Sequence, residues 1–323
     1  MTGSDIQSPG AELPIRHLTT AFGLRVECDW PLPGTEEVSG EQKLSPPTVR
    51  VRRVSSEAIA AAFETLGEDV HEVRFADGTV WFNLSRTADA YRFWVRDYGR
   101  HVISADGQLV DSDRGDSRDR RERFVAAHGL PIAAVLQGYD VLHASAIAGP
   151  DGAAAFAGAS GLGKTTLASR LIMRGAELVS DDVLTVEPRD DGLVAHPGLP
   201  FMAIRSEGMP RISDADRLGA TVGASDKVHV SPPTHLGELP LRVMYHLEAG
   251  PALEISPLGV GELRRLLGLA FMPYLMTSDR LSRHLEVAQL LGATVAHFRL
   301  RSPRGRVDEM LDLVESHMHH EGV

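Results

Sequence analysis

Residues 158–182 read GASGLGKTTLASRLIMRGAELVSDD. The first part, Gly158, Ala159, Ser160, Gly161, Leu162, Gly163, Lys164 and Thr165, fits G-x-x-x-x-G-K-[ST] throughout. Glycine lets such a loop curl until successive backbone N–H groups converge on a phosphate. Lys164 then supplies a cation to the β- and γ-phosphates, and Thr165 a hydroxyl to Mg²⁺. Thr166 closes the nucleotide-binding stretch. A small apolar strand, AAAFAG, precedes the loop. A helix follows, with Leu167, Ala168, Leu171 and Ile172 on one face and Gly175 as its cap. A helix N-terminus is itself attractive to anions.

Working outward, Glu177 to Ser180 reads as a short strand ending in Asp181 and Asp182. Asp181 lies only seventeen positions after Lys164. A right-handed βαβ crossover brings the two parallel strand ends near one another. Acidic side chains then sit where a metal-bound γ-phosphate must be. One can hold the metal, and the other can take a proton from an attacking hydroxyl. The competing reading is a pair of turn or capping aspartates.

These residues resemble the catalytic domain of the HPr kinase/phosphorylase family. Its pattern is close to G-D-S-G-x-G-K-S-E followed by R-G-H-x-L-V-A-D-D. The shared features here are the loop, Arg174-Gly175, Leu178-Val179 and the double Asp. The resemblance is specific over roughly 141–187 and looser to about 315. It implies an α/β fold, α+β overall, with a P-loop catalytic domain related to phosphoenolpyruvate carboxykinase. It also implies ATP and Mg²⁺ as cofactors, Asp181 as catalytic base and Asp182 as a metal-linked acid, with those two roles exchangeable. The family's His before the loop matches His143, which would orient or tune the base. Some relatives form hexamers, so a homo-oligomer is within the family's range. The opening AFGLRVECDWPLP also looks like HPr-kinase-related proteins of peptide natural-product pathways, some of which phosphorylate a precursor-peptide serine.

Several positions depart from the family. Ala159 replaces the loop Asp, Thr165-Thr166 replaces Ser-Glu, and Ala176 replaces a His. The E-x-R-G-x-G motif has no counterpart, the nearest stretch being Met202 to Gly208. The phosphorylase-associated loop rich in Pro and Arg is also missing. These changes argue against HPr as substrate and against the reverse reaction. Forward kinase chemistry needs only loop, lysine, metal site and base.

The rest of the chain sets the frame. It has 323 residues, 43% of them hydrophobic and 24% charged, enough for about two globular domains. Residues 1–14 are expected to be a flexible leader and 15–110 a small, mostly antiparallel β domain. Residues 111–120 form a charged linker, and 121–323 the catalytic domain. The β signals include FGLRVEC at 22–28, Val49, Val51 and Val54, and a hairpin at Asp77-Gly78. A second pair lies around Tyr98-Gly99, and Ser55 or Ser56 caps a short helix. A strand is expected over 141–148, and further helices over 121–137, 259–275 and 307–320. Trp30, Trp81 and Trp94 all fall in this first third, as core or as a partner-binding surface with neighbouring arginines.

A balance of 44 acidic to 33 basic residues, net −11, argues against a nucleic-acid partner. No long apolar run predicts a membrane span. One cysteine, Cys28, and no signal-like opening point to a reducing cytoplasm. Arg205 and Lys227 are candidate contacts to phosphate or substrate. His317, His319 and His320 lack a partner at diagnostic metal spacing. The expected function is a kinase acting on a Ser or Thr of a protein or peptide. A small-molecule hydroxyl kinase is the alternative, and a nucleotide-binding regulator without catalysis the second. A deep closed acceptor pocket favours a small molecule; an open groove beside Trp81 or Trp94 favours a peptide.

Overall fold

A computed structural model describes residues 16–32, 34–38, 48–96, 98–113, 121, 123–205, 221–224, 227–303 and 305–320. The expected leader at 1–14 lies outside them, as do residues 114–120 of the expected linker.

The fold is mixed α/β, with two large sheets. The first comprises β1 (Arg16–Ala21), β2 (Leu24–Cys28), β3 (Glu36–Val38), β4 (Thr48–Val54), β5 (Glu68–Arg74), β6 (Val80–Arg86), β7 (Ala90–Val95), β8 (Gly99–Ser104) and β9 (Leu109–Asp113). Their order is β3-β1-β2-β4-β9-β8-β7-β6-β5. Alternating residues point to opposite faces of a strand, so Leu24, Val26 and Cys28 are buried together. Burial pushes the Cys28 thiol up to about 12, which leaves it inert. β5 and β6 form the Asp77-Gly78 hairpin, and β7 pairs with β8. The sheet is not wholly antiparallel, because β4 pairs in parallel with both β2 and β9. Helix α1 (Ser56–Glu64) is capped by Ser55, whose hydroxyl accepts from the Ala58 N–H at 3.2 Å. Trp30 is fully buried, Trp94 half-buried and Trp81 partly exposed.

A π-helical turn, Val125–Gly129, runs into α2 (Leu130–Leu136). Pro131 sits in the first turn of α2, where a missing N–H does not break the helix. Then come β10 (Asp140–Leu142), β11 (Ala144–Gly149), β12 (Gly152–Ala157), α3 (Lys164–Met173), β13 (Glu177–Ser180), β14 (Leu184–Arg189) and β15 (Gly192–His196). A three-stranded sheet holds β16 (Met202–Arg205), β17 (Thr221–Ala224) and β18 (Lys227–Val230). The long β19 (Leu239–Ala249), β20 (Glu254–Pro257), α4 (Ser278–Thr294), β21 (Ala296–Ser302) and α5 (Val307–His320) complete the chain. The second sheet runs β10-β14-β15-β19-β12-β11-β13, with β21 also on β19.

Two expectations are corrected here. The strand read over 141–148 is split at His143, whose N–H donates to the Leu269 carbonyl at 2.7 Å. The single helix over 259–275 is instead two 3₁₀ segments, Val260–Leu269 and Pro273–Leu275. Gly261, Gly268 and Pro273 within it disfavour a regular α-helix.

Three apolar clusters hold these layers. Phe156, Tyr245 and Leu300 pack beneath α3 and α5 on one face of the second sheet. Ala155 and Met244 point the other way, towards Val287 and Leu291 of α4. The third cluster joins the first sheet to the rest, linking Phe22, Phe93, Phe124, Val183, Leu199 and Met272. Each large buried side chain contributes about 1.5–3 kcal/mol. That shared core brings the β1–β2 turn close to the double Asp.

Candidate active site

The glycine-rich loop links β12 to α3. Gly158, Gly161 and Gly163 have φ of 152°, 85° and 95°, conformations that side chains with a Cβ resist. Ala159, Ser160 and Gly161 are exposed. Beyond the loop, Leu167, Ala168, Leu171 and Ile172 face the core, and Gly175 ends the helix. Arg174 pairs with Asp312 at 2.7 Å and Glu315 at 2.6 Å, which ties this helix end to α5.

β13 returns parallel to β12, with β11 antiparallel between them. The two strand ends therefore point the same way without being neighbours. Asp181, just past β13, reaches Thr165 at the start of α3. The Thr165 hydroxyl donates to Asp181 Oδ1 at 2.9 Å, and the Ser145 hydroxyl donates to the same oxygen at 3.0 Å. The Ala203 backbone N–H donates to Oδ2 at 3.2 Å. Burial and the charge of Asp182 push the Asp181 carboxyl up to about 6, against the three donors. At neutral pH it is still mainly ionised, and it is a stronger base than an ordinary aspartate.

Asp182 has φ 64°, and the Val183 N–H donates to the Asp181 carbonyl across it at 2.8 Å. An i to i+2 turn with positive φ is strained for a non-glycine residue. It turns the Asp182 side chain outwards, 54% exposed, away from the Asp181 contacts. The Asp182 N–H donates to Ser145 Oγ at 3.2 Å, so Ser145 bridges the pair.

Lys164 is buried, and its ammonium donates to the Gly158 carbonyl at 2.9 Å and to His143 Nε2 at 3.1 Å. A ring nitrogen that accepts from an ammonium carries no proton. His143 is therefore neutral, consistent with the lowering of its pKa by burial and, secondarily, by the Lys164 charge. The 3.6 Å approach of His143 Nε2 to Asp182 Oδ1 is not an ion pair in that state.

The structure thus brings together Lys164, Thr165, Asp181, Asp182 and His143. Arg205 and Lys227 are directly paired residues of β16 and β18, two positions from Ala203 and its bond to Asp181. Their side chains lie outside the described residues. His317 Nδ1 lies 3.0 Å from the Tyr245 hydroxyl, while His319 and His320 are exposed. Among the described residues, the group close enough to share a metal is Glu187, His196 and Glu238, where Arg189 already pairs with both carboxylates.

Sequence reasoning missed Ser145 and Phe22. Ser145 had a signal, as a hydroxyl inside the apolar strand ASAIAG must find a partner. Phe22 had none, because nothing local places a residue of the first sheet beside Asp181. With Ala126, Val183, Leu199, Phe201 and Ala203, it lines a cleft above Thr165 and the Asp pair. Neither Trp81 nor Trp94 lines it.

No family model and no curated protein matches this chain. Among solved structures, the Hpr(Ser) kinase/phosphatase from Coxiella burnetii is similar at 13% identity and a TM-score of 0.30. The match covers 56% of this chain and 95% of that one. A likeness of that size carries no functional argument; the residues above must. No described helix is long and apolar enough to cross a membrane.

Proposed function

We propose that the protein is a Mg-ATP-dependent phosphotransferase acting on a hydroxyl, with a Ser or Thr of a protein or peptide as acceptor. One observation carries the reading. A partly buried carboxylate, Asp181, is held by Thr165 and Ser145 at the head of a lysine-bearing glycine loop.

The loop amides of residues 158–166 would cradle the phosphates, and Lys164 would leave the Gly158 carbonyl and His143 for the β- and γ-phosphates. The residues fit Mg²⁺, which takes hard oxygen donors and few carboxylates. Thr165 and the outward Asp182 would hold it. When bound, it supplies charge neutralisation at the phosphates. Asp181 would accept the acceptor's hydroxyl proton as that oxygen forms its bond to γ-phosphorus and the bond to the β-phosphate oxygen breaks. ADP leaves with the displaced electron pair. His143, neutral, keeps Lys164 and Asp182 apart until nucleotide takes the lysine.

A second reading, a small-molecule hydroxyl kinase, is favoured by the confined cleft and by its lack of Trp81 and Trp94. ATP binding with no transfer would support the third, a nucleotide-binding regulator. The test uses γ-labelled ATP, Mg²⁺ and a cell extract split by size, with wild type and Lys164→Ala. Label in a protein or peptide fraction, lost in the variant, supports the first reading. Lysine-dependent label in metabolites supports the second. Equal label from both proteins sinks the site assignment.

A further inference from the structure

Uncommon backbone geometry converges on one cleft. Three non-glycine residues among those described have positive φ: Phe22 at 57°, Asp182 at 64° and Met272 at 51°. Two of these three, Phe22 and Asp182, line the cleft above Asp181. The π-helical turn contributes Ala126 and Ala127 to the same wall. Strained bulky residues and π turns persist where the surroundings enforce them, and they concentrate at functional sites.

Phe22 is held by the Pro197–Gly198 segment. Its N–H donates to the Pro197 carbonyl at 2.7 Å. Its ring lies against Gly198, where an added Cβ would meet Phe22 Cε1 at 3.2 Å. The first sheet thereby supplies one wall of a cleft whose floor belongs to the second.

The chemistry of the lining is uneven. Phe22, Ala126, Val183, Leu199 and Phe201 are apolar, and the charges among the described lining residues are Asp181 and Asp182 alone. An anionic group entering here meets two carboxylates with no cation among the described walls. A cationic group loses its water against apolar walls, and the proposed metal already claims Asp182.

We propose that this cleft is the acceptor subsite, and that it takes an uncharged alcohol with an apolar body. The expected form is a serine or threonine flanked by an apolar residue, with Phe22 setting which body fits. This rests on the phosphotransferase reading above.

The test uses the full chain and capped peptide pools Ala-X-Ser-X-Ala, with X as Leu, Asp or Lys, plus free 3-methylbutan-1-ol. Binding is read by saturation-transfer NMR and phosphorylation by label from γ-labelled ATP. The Leu pool should bind at least about tenfold better than the Asp and Lys pools, the scale of discrimination in an apolar pocket. Phe22→Ala should weaken it by about tenfold. Ala127→Phe, at an exposed rim position, guards against a folding defect. It should block the Leu pool while leaving the melting temperature and Mg-ATP binding unchanged. Equal binding of the three pools, or a Leu-pool signal that survives Ala127→Phe, overturns the subsite. Binding of the alcohol with none of the Leu pool overturns the peptide form. Leu-pool binding without label, in a protein that binds ATP, leaves the cleft's ligand chemistry standing and overturns the phosphotransferase reading.

Discussion

Ser145→Ala is the most informative single change outside the predicted catalytic groups. Ser145 is fully buried on β11, and its hydroxyl serves both aspartates. It donates to Asp181 Oδ1 at 3.0 Å and accepts from the Asp182 N–H at 3.2 Å. Alanine fits the same space and removes both bonds. A hydrogen bond to a charged group contributes about 1.5–3 kcal/mol, and the backbone N–H adds about 1 kcal/mol at most because Asp182 is partly exposed. The expected destabilisation is therefore about 2–3 kcal/mol, read from urea unfolding at neutral pH. The loss should shrink by about 1–2 kcal/mol in an Asp181→Asn background, where the carboxylate is already gone. Phosphotransfer should fall by about tenfold or more, since the base loses one of the contacts that aim it. A loss below about 0.5 kcal/mol with no coupling to Asp181 would refute the bridging role.

Two further outcomes test the packing around the site. His101 is buried and neutral, its Nε2–H donating to the Tyr98 carbonyl at 3.0 Å and its Nδ1 accepting from Ser112 at 2.9 Å. Burial lowers its pKa to about 3. The unfolded chain therefore takes up a proton below about pH 6.5 that the folded chain refuses, so stability is full above that pH and falls as pH drops towards 3. Between pH 6.5 and 5 the His101 contribution should fall by about 2 kcal/mol, and His101→Gln should flatten that slope in urea titrations; an unchanged slope would place the acid sensitivity elsewhere. Gly198→Ala would put a Cβ 2.5 Å from Ser180 Oγ, so it should lower stability by about 1–3 kcal/mol in thermal melts, and a neutral effect would mean the Pro197 turn yields freely.

Much of the site was legible because its signals are local. The glycine loop, its helix and the double Asp lie within one short stretch, and the loop's φ requirements fall on glycines. The Asp77-Gly78 hairpin was equally local. What was not legible depends on long-range pairing. The two parallel ladders of β4 join strands distant in sequence, and β11 separates β12 from β13. Alternation alone fixes which face a residue takes, not which strand lies beside it. Phe22 shares a cleft with Asp181 because the Pro197–Gly198 segment receives both the β1–β2 turn and the end of β13. The 3₁₀ segments were misread because Leu263, Leu266 and Leu267 also suit an α-helical face.

Asp181 is proposed above as the base for transfer from a nucleotide held by the glycine loop. Asp181→Asn keeps the shape of the side chain and removes its basicity. One preparation of that variant should be measured for Mg-ATP affinity and for transfer of γ-label to the acceptor fraction. Affinity should stay within about threefold of wild type, and transfer should fall at least about a hundredfold, the scale of a general base. Transfer at the wild-type rate, with ATP bound normally, would contradict it.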